Sequence, residues 1–384
     1  MSETVDSRPQ IVLVSTYAFD EPVIRNRLTP FIDLALERGL RVTVVNPEGG
    51  TYHNATHPGF THRALALAQA NRGGLVKRTL CETVLAWRVL KAVPRNPEYM
   101  VITVPSMFLL FLGWRVSAGR RLLDLRDLTW EYLGDHSLLR RWSKYGFRVL
   151  ARHAMPTFDL VAVTCEAEET ALARLPELRE ERLVLASNGL TRSQFEALAS
   201  VAEQPEVGDK ERLRVLYAGN VGQAQNLATL LEAARRLPGI DVDVVGAGSD
   251  FERIQALAAD VLNVHLHGRV AWSRLPAFYQ SADVLYAQLT PDYARAMPSK
   301  LYEYLATGKP LIYGGQGQAL GFLQRFEHVV TIEPDNVDEL VAALDRMARA
   351  GERAPVNEAA RRFVAEKCIR EDVVERVYDR FLQR

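Results

Sequence analysis

Apolar residues along the first half of the chain alternate between two arrangements. Continuous runs, IVLVST (11–16) and RVTVVN (41–46), read as strands buried on both faces. Between them Leu28, Phe31, Ile32, Leu34 and Ala35 recur at helical spacing, which completes a β-α-β unit. Further strands are predicted at Met100–Val104, Arg121–Leu125, Leu160–Thr164 and Leu183–Ala186, with helical patterns between most of them. A second series begins at Leu213. Strands 213–219, 242–248, 264–268, 284–289, 310–314 and 329–333 alternate with helices 226–237, 250–258, 273–280 and 299–307. The tail, 357–383, reads as a long helical segment broken near 369–371.

The pattern predicts an α/β protein of two doubly wound, Rossmann-like domains facing across a cleft, where the carboxyl ends of parallel strands hold ligands. The expected division is 1–199, a linker at 200–209 (SVAEQPEVGD lacks periodicity) and 210–364, with a C-terminal helix of about 365–384 packing back on the first domain.

Composition narrows the classes. The 384 residues carry 47 basic and 47 acidic side chains, a balance that disfavours nucleic acid as partner. The most apolar run, Val104–Trp114, is broken by Pro105 and Ser106 and is far below the ~20 residues of a membrane span. The polar opening MSETVDSRPQ and three widely spaced cysteines point to a cytoplasmic protein without a disulfide framework or cysteine metal site. No metal-binding motif occurs, so the expected metal is none. The third glycine of a dinucleotide fingerprint is missing after VGAG, which disfavours a nicotinamide enzyme.

Residues 298–310, PSKLYEYLATGKP, resemble the donor-site helix of GT-B glycosyltransferases, in particular glycosyltransferase family 4. LYAGNVGQAQNLATLLEAARRL (216–237), VVGAGSD (244–250), HLHGRV (265–270), LPAFYQSADVLYAQL (275–289) and DNVDELVAAL (335–344) follow in the family's order and spacing. The resemblance covers nearly all of 210–384 and is looser over 1–190. This sequence departs from the family pattern in three places. The first of two family glutamates falls on Arg295. The diphosphate-binding Arg and Lys fall on Asn220 and Gln225. The glycine-rich loop after the first strand is replaced by TYAFDEPVIRN (16–26).

The residues themselves supply a diphosphate site. Ser299 is a good N-cap, and a helix start offers free N–H groups and the positive end of a dipole. Lys300 adds a cation in the first turn, able to replace the two missing at Asn220 and Gln225. Gly219, Gly246 and Gly248 close two strands and let backbone approach a ligand. The resemblance adds Glu303 as acceptor for the ribose hydroxyls, Arg269 and Val270 against the nucleobase, and Asn220 and Leu301 in the same donor site. In the first domain LLDLRD (122–127) ends in Arg126 and Asp127. Asp127, at a strand's carboxyl end, is the candidate base of an inverting transfer. Arg126 and Arg25 are candidate acceptor ligands.

The resemblance implies a metal-independent hexosyltransferase without cofactor, using a nucleotide diphosphate sugar, most readily a UDP-sugar. Retention is expected, with inversion left open. The implied acceptor is a lipid-linked or other glycan of a bacterial surface polysaccharide. A natural-product transferase with a soluble acceptor, a nucleotide-sugar epimerase and an inactive sugar-nucleotide-binding subunit are the alternatives. Arg140, Lys144, Arg148 and Arg152 form a basic stripe beside Trp142 and Tyr145. A second basic segment runs from Arg72 to Arg95. Residues 1–190 hold 24 basic against 20 acidic side chains. Peripheral contact with an anionic membrane is the expectation from this pattern.

Overall fold

The computed structural model describes residues 8–66, 75–104, 106–126, 128, 137–202, 212–350 and 355–383. The chain divides into two compact units, Met1–Ser187 with Arg370–Arg384, and Asn188–Ile369. The division therefore falls ahead of the 200–209 stretch, whose residues from 203 onward lie outside the described ones.

The first unit opens with β1 (Gln10–Val14), α1 (Pro22–Glu37), β2 (Arg41–Pro47), β3 (Phe60–Leu65) and α2 (Leu75–Lys91). It continues with β4 (Tyr99–Val104), α3 (Met107–Gly113), β5 (Arg120–Leu125), α4 (Leu138–Ala154), β6 (Leu160–Val163), α5 (Glu166–Ala173) and β7 (Leu183–Leu185). The strands form one parallel sheet in the order β3-β2-β1-β4-β5-β6-β7. Every residue of β1 after Gln10 and of β4 after Tyr99 is buried, as helices on both faces require. On one face Ile11, Leu13, Val101 and Leu122 meet Leu28, Phe31 and Ile32 of α1. On the other Val12, Ile102 and Leu123 meet α2 (Ala86, Val89), α3 (Phe108, Leu109) and α4 (Ala151, Ala154).

The second unit carries α6 (Arg192–Ala199), β8 (Leu213–Ala218), α7 (Ala228–Arg236), β9 (Ile240–Val245), α8 (Phe251–Ala258), β10 (Val264–Gly268) and α9 (Leu275–Ser281). Then come β11 (Val284–Gln288), α10 (Lys300–Thr307), β12 (Leu311–Gly314), α11 (Gln318–Leu323), β13 (Val329–Ile332), α12 (Val337–Ala350) and α13 (Glu358–Lys367). Its parallel sheet runs β10-β9-β8-β11-β12-β13. Strand order reverses between β8 and β11, the place where open α/β sheets bind ligands at the strands' carboxyl ends. The last helix, α14 (Arg370–Leu382), belongs to the first unit, where Val374, Val377, Tyr378 and Phe381 join the core under α1.

Two features differ from the sequence reading. β3 adds an edge strand whose FTHRAL is largely exposed, so no apolar run marks it. α1 begins at Pro22, six residues before Leu28, where proline suits a helix start and Ile24 already joins the core.

Candidate donor site and its relatives

α10 is fastened beneath the end of β8 by a buried tyrosine. The Tyr304 hydroxyl accepts the Ala218 N–H at 2.8 Å and donates to a carbonyl, lying 3.1 Å from Ala218 O and 3.2 Å from Tyr286 O. The helix stops at Gly308, whose left-handed φ of 68° suits glycine. This anchoring brings the start of α10 to the strand ends. Gly219 N–H donates to Val245 O of β9 (2.8 Å), and Gly246 N–H donates to Gly268 O of β10 (2.8 Å). A side chain on Gly246, at φ 146°, would collide with the Gly219 carbonyl, and one on Gly248 with the Val221 carbonyl. These two glycines thus let backbone meet backbone.

Gly219 has a different role. At φ 147° its missing Cβ would lie 2.7 Å from both Cε and Nζ of Lys300. The gap lets the lysine pass over the strand end to Tyr217. Its ammonium donates to the Tyr217 hydroxyl and lies 3.8 Å from the ring centroid, a close cation–π contact. The Tyr217 hydroxyl in turn donates to the Asn220 carbonyl. Burial lowers the Lys300 pKa from 10.5 to about 7, against the opposing pull of Glu303. Burial is also the main cause that pushes the Tyr217 phenol well above its ordinary value, with Tyr304 and Tyr286 adding to it.

Glu303 sits one turn further along α10, half-buried, and its Oε2 accepts from the buried Tyr279 hydroxyl at 2.9 Å. Asn220 Nδ2 donates to Gln225 Oε1 at 3.1 Å, and Gly222 N–H shares that oxygen at 3.2 Å. The two neutral residues therefore close the loop on themselves, and Lys300 is the cation that reaches the end of β8.

Other expected members are placed differently. Ser299 holds the N-cap position in helical conformation and its side chain makes no capping bond, because Leu301 and Tyr302 N–H already turn back to the Pro298 and Ser299 carbonyls (both 3.1 Å). The Leu301 side chain is buried in the core beneath β8, so it contributes packing. Arg269 is exposed just past β10 and Val270 packs on the same core.

In the first unit Asp127 lies outside the described residues. Arg126 Nη1 donates to Val23 O at 2.7 Å, which ties the end of β5 to the first turn of α1, and Arg25 is exposed in that turn. Sequence reasoning missed Arg27 and Asp124. Arg27 Nη2 lies 2.5 Å and Nε 3.1 Å from the Asp124 carboxylate, and both side chains are buried. An aspartate inside the apolar run LLDL was the available signal. On α4, Arg140, Arg148 and Arg152 are exposed, as are Trp142 and Tyr145, while Lys144 is buried and drops out of the basic row.

Two parallel-sheet Rossmann-like units of this topology define the GT-B class. Within it, residues 201–363 match the model of the family Glycosyl transferases group 1. Escherichia coli (strain K12) WcaI, named as a colanic acid biosynthesis glycosyl transferase, is 29% identical over 153 residues. The match covers 38% of this chain and 37% of WcaI, little more than a third of that protein. Sucrose-phosphate synthase from Thermosynechococcus elongatus superposes with a TM-score of 0.71 at 16% identity, covering 97% of this chain and 98% of that one. Anabaena HepE, solved in complex with UDP and glucose, gives 0.64 at 13% identity over 96% and 98%. At these identities the structural likeness is one of fold.

Proposed function

We propose that the protein is a glycosyltransferase that moves a hexose from a UDP-sugar to a hydroxyl of a lipid-linked glycan in bacterial surface polysaccharide synthesis. The observation that carries this reading is the Lys300 ammonium held over Gly219 at the end of β8, with Glu303 one turn away. A diphosphate at the start of α10 would meet a cation and the positive end of a helix dipole. Both oppose the charge that develops on the leaving UDP, the kind of stabilisation that dominates transfer chemistry. In this reading they do the work of a metal, and no cofactor is needed. Glu303 takes the ribose hydroxyls on its remaining oxygen, while Arg269, Val270 and Asn220 border the nucleotide.

Retention is the preferred course; if the reaction inverts, Asp127 is the base. The HepE complexes with UDP and the colanic acid assignment of WcaI support the nucleotide and the type of acceptor. A lipid-linked acceptor implies work at the inner face of the plasma membrane. Isothermal calorimetry with uridine, UMP and UDP tests the reading. UDP should bind with the phosphates supplying most of the affinity, and Lys300→Ala should remove that part. Equal affinity for uridine and UDP in the wild type would overturn it. Release of free or epimerised sugar from donor alone would favour an epimerase.

A further inference from the structure

The layer of helices opposite α1 carries an outward surface that the donor site does not use. α2 packs on α3 and α3 on α4, with Phe108 and Phe111 set against Phe147 (centroids 6.4 and 6.0 Å apart). The inner sides of all three helices fill the core below the sheet. Their outer sides carry apolar stripes among basic residues. On α2, Leu80, Val84 and Trp87 lie at i, i+4, i+7 and are 64%, 41% and 48% exposed. On α4, Leu138, Trp142 and Tyr145 repeat that spacing at 73%, 71% and 62%. Trp114, at the end of α3, is 52% exposed. A helix with one buried stripe has no structural use for a second, and exposed apolar stripes on adjacent helices mark a binding surface.

We propose that the outer surface of α2, α3 and α4 docks on an anionic phospholipid bilayer, with Trp87, Trp114 and Trp142 at headgroup depth. The flanking charges choose the occupant. Lys77, Arg88 and Lys91 border the stripe of α2, and Arg141, Arg148 and Arg152 that of α4. Against them the two helices hold one acid, Glu82. Lys91 Nζ lies 5.1 Å above the Trp87 ring and the Arg115 guanidinium 5.4 Å above that of Trp114. An aromatic ring with a cation alongside suits the interface, where the ring enters the acyl boundary and the cation meets lipid phosphate. A second copy of the chain fits poorly. A two-fold contact would set this basic face against itself. The inference goes beyond the transfer reading and stands without it, since none of these residues belongs to the donor site.

The test is sedimentation of the full chain with vesicles of pure phosphatidylcholine and of an equal mixture with phosphatidylglycerol, at low salt. Binding to the mixed vesicles alone is expected, fading as salt shortens the screening length. Arg141→Glu/Arg148→Glu/Arg152→Glu should weaken it by at least about a hundredfold, taking ~1 kcal/mol per cation and tenfold per 1.4 kcal/mol. Trp142→Ala/Tyr145→Ala should lower both binding and tryptophan quenching by brominated lipid. The reversal of Arg235 and Arg236, on α7 of the other unit, should change neither. Circular dichroism melts establish that each variant folds. Should the triple variant melt early, Arg152→Glu alone is expected to cost about fivefold. Wild-type protein that ignores both vesicles, or binds both alike, overturns the proposal. So does a dimer in light scattering that Trp142→Ala/Tyr145→Ala dissociates, which would assign the face to a second copy.

Discussion

UDP affinity should fall steeply as pH rises above neutrality, and Lys300 should be the cause. The ammonium titrates at about 7 in the free protein, because its place over the Tyr217 ring is poorly solvated. A diphosphate partner favours the charged form, so binding selects the protonated lysine. The apparent Kd is then the intrinsic value divided by the protonated fraction. That fraction is roughly three-quarters at pH 6.5 and about 3% at pH 8.5, so UDP should bind about 25-fold more weakly at the higher pH. The β-phosphate, with a second pKa of about 6, is already mostly ionised at pH 6.5 and does not offset this. Calorimetry in two buffers of different ionisation enthalpy counts the protons. About one should be taken up per UDP at pH 8.5 and none with uridine. Lys300→Met should remove both the proton uptake and the slope. The same residue has a stability signature of fixed sign. A lysine depressed from 10.5 to about 7 costs folding free energy below pH 7, and the cost disappears as pH rises towards 10.5. Lys300→Met should therefore raise Tm at pH 6 more than at pH 9.5. A flat UDP affinity between pH 6.5 and 8.5, or an equal slope in Lys300→Met, would refute the reasoning.

Glu303→Ala should weaken uridine and UDP alike by tenfold or more, since a charged hydrogen bond is worth ~1.5–3 kcal/mol; calorimetry showing loss for UDP alone would move Glu303 away from the ribose. Tyr217→Phe keeps the ring and removes the hydroxyl that holds Lys300, so UDP should lose severalfold in affinity while uridine is unchanged. Asp124→Asn strips the charge partner from buried Arg27 and should cost ~3–5 kcal/mol, read as a lower midpoint in urea; a change below ~1 kcal/mol would mean water reaches the pair. Asp127→Asn should leave UDP affinity intact and abolish transfer if the reaction inverts, and near-normal turnover would exclude Asp127 from the chemistry.

Both sheets could be read from the chain because buried parallel strands leave continuous apolar runs such as LRVLYAG and VLYAQL. The closeness of Lys300 and Glu303 was legible because both lie on one continuous helix, α10. What escaped was decided by partners distant in sequence. Arg27 and Asp124 are 97 positions apart, and neither betrays the other. Tyr217 looks like one more apolar strand residue until Lys300, 83 positions on, is laid across its ring. Periodicity placed Lys144 in one row with Arg140 and Arg148, yet Lys144 is buried while both arginines are exposed, and Leu138 joins Trp142 on the outside. A stripe of charges says which side of a helix is polar, and only packing says which side is outside.

The return of α14 to the first unit has a consequence for the order of events at the ribosome. Tyr378 donates to the Phe31 carbonyl at 2.9 Å, and its ring meets that of Phe31 edge-on at 5.4 Å. Helix α1, made near the start of synthesis, thus waits for residues more than 340 positions later before its outer side is covered. At ~5–20 residues per second that interval lasts from under twenty seconds to over a minute, during which the second unit can fold first. The nascent first unit would meanwhile leave uncovered the part of α1 around Phe31 that Tyr378 packs on, the kind of surface that recruits chaperones. A chain stopped before Arg370 would keep that exposure permanently.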